Sequence, residues 1–318
     1  MSRTSDTLVV GTRGSQLALT QSQWVVDRLR QAHPQLTIRM EIIRTTGDKQ
    51  QLRPLPEIGG KGLFTAELEQ ALLDGGIDVA VHSAKDLPTD LRAGLAVLAY
   101  PQREDPRDAW VSAGGAVLME LPTGSVVGTS SLRRQAQILV HRPDLKFVAL
   151  RGNVDTRIRK VHQGQCSGAV LALAGLNRVG LTAHVTHVIE PSFCLPAPGQ
   201  GALALEGRTD DKGVRELLAP IHDAATAAAV EVEREILAAL DAGCRAPVGI
   251  YCVCESDRMR CEAVVLDPAG TRVARASAEE KGDILVFESP ACVSLVRQIV
   301  DDLKAQHAED IIAQCRGG

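Results

Sequence analysis

Short apolar runs alternate with stretches of helical spacing through the first two thirds of the chain. Residues 8–10 read as a strand, and residues 16–31 as a helix closed by His33-Pro34, because proline cannot extend a helix. Residues 36–44 are strand-like, 63–73 helical and 77–81 a short buried strand. After Pro122 the alternation resumes, with strands at 126–128, 146–150 and 169–173 and helices at 132–140 and 155–162. Alternating β and α segments predict an α/β fold of doubly wound sheets with helices on both faces. Two proline-bearing stretches, 101–106 and 191–198, bracket the middle block, and 203–205 reads as a strand returning to the first. The expected architecture is two α/β lobes joined by a double crossover, with a cleft between them. The last part of the chain changes character. A helix at 224–240 precedes strands at 248–255, 260–266 and 272–278, with turns at Ser256-Asp257 and Pro268-Ala269-Gly270. A helix at 291–306 covers that meander, which predicts a small C-terminal α+β domain. The expected boundaries are residues 1–101 with 202–219 for lobe 1, 107–195 for lobe 2 and 224–318 for the C-terminal domain.

Composition narrows the class. The 318 residues are 45% hydrophobic and 23% charged, a globular profile, and no apolar run approaches the roughly 18 residues of a membrane span. The opening MSRTSD has no apolar stretch of the secretory kind, so a cytoplasmic protein without a membrane partner is expected. Aromatics at 3% argue against a base-stacking platform for nucleic acid. The eight cysteines contain no CxxC pair and read as reduced thiols. The net charge of −4 is uneven. Residues 126–160 hold eight Lys/Arg against Asp144 and Asp155, a local +6, which leaves −10 for the rest. A basic stretch inside an acidic protein points to a local anion site.

Several loops could carry chemistry. The apolar strand at 77–81 runs into HSAKDLP at 82–88, at the kind of strand end where open α/β sheets bind ligands. Asp86 there suits a general acid/base or the stabilisation of a cation, and Lys85 suits a carboxylate; a solvated turn explains the spacing equally well. In GTSSLRR at 128–134, Ser130 or Ser131 suits the helix N-cap, while Arg133 and Arg134 in the first turn oppose the helix dipole. A ligand carboxylate or phosphate would reverse that penalty. RGNVDTR at 151–157 repeats the layout with Arg151 and Arg157, and Arg13 with Ser15 makes a third such loop. Three such strand ends favour a ligand with several carboxylates. Gly59-Gly60-Lys61-Gly62 lacks the phosphate-loop pattern and reads as a mobile loop ahead of a helix. Cys244 sits between a helix end and a strand beside Arg245, which can lower a thiol pKa; an inert thiol is the blander reading. Cys252, Cys254 and Cys261 lie nearby but lack zinc-ligand spacing, so no metal is expected.

Taken together, these motifs resemble the porphobilinogen deaminase (hydroxymethylbilane synthase) family over nearly the full length. The resemblance is carried by TRxSxLA at 12–18, GKGLF at 60–64, VHSAKD at 81–86, REDPRD at 103–108 and GTSSLRR at 128–134. LRGNVDTR at 150–157, AGLNR at 174–178, LPxPGQG at 195–201 and Gly243-Cys244 continue it. It implies two periplasmic-binding-protein-like lobes around a cleft and a third α+β domain. It further implies a monomeric transferase of tetrapyrrole (haem) biosynthesis. Four porphobilinogen molecules would be condensed, with loss of ammonia, onto a dipyrromethane cofactor, and hydrolysis would release linear hydroxymethylbilane. The match places the cofactor's thioether on Cys244 and makes Asp86 the catalytic carboxylate. Arg13, Ser15, Lys85, Ser131, Arg133, Arg134, Arg151, Arg157, Arg178 and Gln200 match positions that hold cofactor or substrate side chains. Lys61 and Phe64 fall in the family's mobile loop, where Glu57 replaces a lysine common in the family. Each porphobilinogen carries an acetate and a propionate, so a growing chain demands many cationic partners. A two-lobed binding protein without chemistry would use the arginines but leave Asp86 idle. A metal-binding regulator built on Cys244, Cys252, Cys254 and Cys261 would suffer from its ligand spacing.

Overall fold

In a computed structural model the described residues are 7–44, 65–242 and 246–316. The chain first lays down β1 (Thr7–Thr12), α1 (Gln16–Ala32), β2 (Thr37–Ile42), α2 (Ala66–Leu73), β3 (Val79–Ser83) and β4 (Leu95–Ala99). The middle segment follows with β5 (Asp108–Ser112), β6 (Val126–Gly128), α3 (Leu132–His141) and β7 (Lys146–Val148). It ends with α4 (Val154–His162), β8 (Gly168–Ala172), α5 (Leu173–Arg178) and β9 (His187–Ile189). The chain then forms β10 (Leu203–Arg208), α6 (Lys212–Leu218) and α7 (Ala224–Ala239). The C-terminal elements are β11 (Val248–Glu255), β12 (Arg258–Leu266), β13 (Val273–Lys281), α8 (Pro290–Ala305) and α9 (Ala308–Arg316).

Two compact units result. One takes its described residues from Met1–Arg103 and Ala202–Ala227, the other from Glu104–Gly201 and Ala228–Gly318. The first unit is built on a five-stranded sheet of order β2-β1-β3-β10-β4. β1 pairs in parallel with β2 and β3, while β10 runs antiparallel to β3 and β4. α1 shows why this sequence is helical. Ser15 caps it, accepting from Ala18 N at 3.3 Å, and Ala18, Gln21, Ser22, Val25, Val26 and Leu29 make one buried stripe. That stripe packs with Leu8 and Val10 of β1 and Val79 and Val81 of β3.

The second unit repeats the plan. Its doubly wound sheet has the order β7-β6-β8-β5-β9, with β6 parallel to β7 and β8, and β5 antiparallel to β8 and β9. In each sheet three parallel strands are followed by one reversed strand. The reversed strand of the first sheet, β10, comes from the returning chain, as the run at 203–205 predicts. The three C-terminal strands form an antiparallel meander with α8 and α9 in its core. Its register pairs Cys252 with Cys261 and Ala263 with Ala276. Burial along β12 alternates at first, then Ala263 to Leu266 are all buried. Alternation stops there because Val264 and Leu266 pack on Ala136 of α3 and on Leu195, so both faces are covered. The two doubly wound α/β sheets and the small antiparallel C-terminal sheet with its helices, expected from sequence, are thus present.

Element ends differ from expectation by a few residues, and some elements escape the pattern. β4, β5, β9, α5, α6 and α9 are not signalled by the periodicity. β5 is the consequential one. All five of its residues are buried, so it shows no alternation, and it opens on a charged residue after a proline-bearing stretch. The expected helix at 63–73 begins at Ala66 among the described residues. None of the described helices is long and apolar enough to cross a membrane.

Candidate functional site

In the first unit, β1 and β3 are parallel neighbours, so the loops beyond their carboxyl ends share one edge of the sheet. The loop after β1 carries Arg13 and Ser15, and Ser15 spends its hydroxyl oxygen on the α1 cap. β3 ends in a 3₁₀ turn, Ala84–Asp86, on which Lys85 and Asp86 are both exposed. That turn is anchored from behind. Ala84 N donates to Ala202 O at 3.0 Å, and Gln21 Nε2 of α1 donates to Ser83 Oγ at 3.1 Å. Beneath it lies a buried polar pair, His82 Nε2 and Glu206 Oε2 at 2.9 Å. The acid and the base beside it therefore stand on a turn fixed by the sheet.

In the second unit, β7, β6 and β8 are parallel neighbours, and their carboxyl ends lead into the segments that carry the basic residues. Ser131, not Ser130, is the N-cap of α3, accepting from Arg134 N at 3.4 Å, while Ser130 Oγ donates to Leu150 O at 3.1 Å. Arg133 and Arg134 are buried at 6% and 7% exposure. Both meet Asp108, the first residue of β5. Arg133 Nη2 donates to Oδ2 at 2.8 Å and Arg134 Nη2 to Oδ1 at 2.7 Å. Gln200 Nε2 donates to the same Oδ1 at 2.8 Å and to Pro106 O at 2.7 Å. Burial alone would raise the Asp108 carboxyl, but the charges of Arg133 and Arg134 hold it well below the usual carboxylate range. Burial likewise pushes the neighbouring Cys194 thiol up to about 12. Asp108 is the residue at this site that sequence reasoning missed. Its signal was its place in the REDPRD motif, directly before an apolar run.

The remaining basic positions vary. Arg157 Nε donates to Gly152 O at 2.8 Å, and Arg151 accepts at its own carbonyl from Lys160 Nζ at 3.1 Å. Arg178, at the end of α5, donates from Nη2 to Gly201 O at 2.6 Å. Burial pulls its guanidinium down to about 10, against the opposing charge of Glu104, so it stays cationic at neutral pH. Cys244, Lys61, Phe64 and Glu57 lie outside the described residues. Cys252 and Cys261 face each other, Sγ to Sγ at 2.8 Å, within the C-terminal core. Among the described residues no group of three or more His, Cys, Asp or Glu is placed to hold a metal ion.

One observation bears on a carboxylate-rich ligand. Arg133 Nε and Arg134 Nε are buried donors with no hydrogen-bond partner among the described residues. Two buried guanidiniums face one carboxylate, so a positive charge and two N–H donors are left over. The residues present fit a bound polycarboxylate such as dipyrromethane.

Comparison with known proteins agrees with the motifs. Residues 8–216 match the family model "Porphobilinogen deaminase, dipyromethane cofactor binding domain", and residues 227–303 match "Porphobilinogen deaminase, C-terminal domain". The porphobilinogen deaminase of Desulforudis audaxviator is 52% identical over 276 residues, 87% of this chain and 89% of that protein. That of Oceanobacillus iheyensis is 42% identical over 309 residues, 94% of this chain and 98% of that protein. Among solved structures, the methionine-binding protein MetQ superposes with a TM-score of 0.43 at 15% identity, covering 68% of this chain and 90% of that one. A likeness at that level says nothing of function.

Proposed function

The chain belongs to the porphobilinogen deaminase family, and from that premise we propose how its residues perform the family's reaction. The activity is that of a transferase. Four porphobilinogen molecules are condensed head to tail, with loss of ammonia, and hydrolysis releases linear hydroxymethylbilane for tetrapyrrole biosynthesis. When bound through its cysteine thioether, the dipyrromethane cofactor supplies a tethered primer with a free pyrrole α-carbon.

In the proposed division of labour, Asp86 is the catalytic carboxylate. It assists departure of ammonia from the aminomethyl group of porphobilinogen, which is protonated at neutral pH: the C–N bond of the ammonium breaks and its electron pair leaves with the nitrogen as NH3. The carboxylate then faces the pyrrole N–H of the cation so formed and stabilises its charge. Its exposed place on an anchored turn at a strand's carboxyl end supports this role. Cys244 is the proposed attachment point, supported by the Gly243-Cys244 match. Arg13, Ser15, Lys85, Ser131, Arg133, Arg134, Arg151, Arg157, Arg178 and Gln200 are the proposed holders of acetate and propionate groups. The observation that carries the reading is the excess of buried positive charge at the start of α3, with two donors still to be satisfied. The proposal also treats 1–101 with 202–219, 107–195 and 224–318 as separate domains. It takes the enzyme as a cytoplasmic monomer without nucleic-acid or membrane partners.

Two substitutions test these assignments. Asp86→Asn is expected to keep the covalent pyrrole mass yet lose turnover by about 100-fold or more. Turnover near the parent level would remove Asp86 from the chemistry. Cys244→Ser is expected to carry no covalent pyrrole, and a retained thioether-linked increment would move the anchor elsewhere.

A further inference from the structure

Asp108 is fully buried at the start of β5. Consecutive residues of a helix leave its axis about 100° apart, so Arg133 and Arg134 diverge unless an acceptor between them draws both tips in. The Asp108 carboxylate does this, with one oxygen for each guanidinium. A carbonyl fixes each tip a second time, Leu195 O for Arg133 Nη1 and Val170 O for Arg134 Nη1. Leu195 is in turn held by Gln137 of α3, whose Nε2 donates to Leu195 O at 3.0 Å and whose Oε1 accepts from Leu195 N at 2.8 Å. Gln200 completes the set by donating to Asp108 Oδ1. An ion pair serving stability alone would match one arginine to one carboxylate. Here the ratio is two to one, among side chains at most 8% exposed, and both Nε–H donors are left over.

We propose that Asp108 is a positioning residue for the family's reaction. It fixes both guanidiniums of α3 while neutralising only one of their charges, and so leaves one charge and two oriented donors for a pyrrole carboxylate. This rests on the reading above that Arg133 and Arg134 receive such carboxylates.

The test uses the full chain, prepared without its cofactor and loaded by incubation with porphobilinogen. Loading is followed by intact mass, with KM, kcat and the thermal midpoint measured on the same preparations. Asp108→Asn keeps the side-chain volume and removes the charge. Loading is expected to slow about ten-fold or more, and KM to rise further than kcat falls, per folded molecule. A lowered midpoint with parent-level loading and KM would make Asp108 merely structural and overturn the proposal. Arg134→Leu is measured alongside. If it loads at the parent rate, the carboxylate reading itself falls, and this proposal with it. If Arg134→Leu loads poorly while Asp108→Asn loads normally, only the role of Asp108 falls. Should Asp108→Asn fail to fold, Arg133→Met is compared with Arg133→Met/Asp108→Asn, which keeps the parent's net buried charge. The double variant is expected to load about ten-fold more slowly than the single one, and equal rates would overturn the proposal.

Discussion

Asp108, itself fully buried, spends both carboxylate oxygens on two nearly buried arginines. Losing one member of such a cluster costs about 3–5 kcal/mol, because the charges left behind stay buried. The pH dependence follows from the direction of its shift. An Asp108 held below its ordinary 3.8 contributes its full stabilisation above that value and loses it progressively as pH falls from there towards the folded-state value. The stability gap between the parent and Asp108→Asn is therefore expected to be constant from pH 7 to about 4 and to narrow at lower pH, measured by denaturant unfolding. A gap unchanged down to pH 2.5 would mean that Asp108 is not ionised in the fold. At this scale the sequence disclosed much. A serine cap at 130 or 131, Arg133 and Arg134 in the first turn and Asp86 at a strand end are all legible from local pattern. The destination of the two guanidiniums was not legible, because Asp108 and Arg133 are brought together by β5, a strand without alternation.

Among the elements, the LPAPGQG segment that ends in Gly201 reaches several of the site's groups. Leu195 O accepts from Arg133 Nη1, Gln200 Nε2 donates to Asp108 Oδ1, and Gly201 O accepts from both Arg178 Nη2 and Glu104 N. Gly199 N donates to Glu233 Oε2 of α7, whose Oε1 accepts from Cys252 N of β11, so one buried carboxylate ties this segment to the C-terminal sheet. Gly201 has φ +89°, and a Cβ there would meet Glu104 O, so both conformation and space require glycine. Gly201→Ala is expected to cost clearly more than the roughly 1–2 kcal/mol of a left-handed backbone alone. Gly180→Ala, at φ +70° with open space around it, supplies that reference. Equal losses of thermal stability in the two variants would show that the close approach at Gly201 is not real. Most elements were legible because they carry a strong period or clear punctuation, as with α1 and its Ser15 and His33 ends. α5 was not, because it follows β8 without an intervening loop signal.

For the whole molecule, charge is distributed as the chemistry requires. A protein of net charge −4 keeps a local +6 across residues 126–160, and two of those arginines are buried with one aspartate between them. The account gives ammonia departure and cation stabilisation to Asp86 in the first unit and much of the carboxylate neutralisation to the second. Its central claim is that the polypeptide itself anchors the growing pyrrole chain, and the most direct measurement is the intact mass of the purified protein before and after brief exposure to porphobilinogen. The account predicts a starting mass above the polypeptide by two linked pyrroles, and then a ladder of further single-pyrrole steps. A mass equal to the bare polypeptide, unchanged by porphobilinogen, would contradict it.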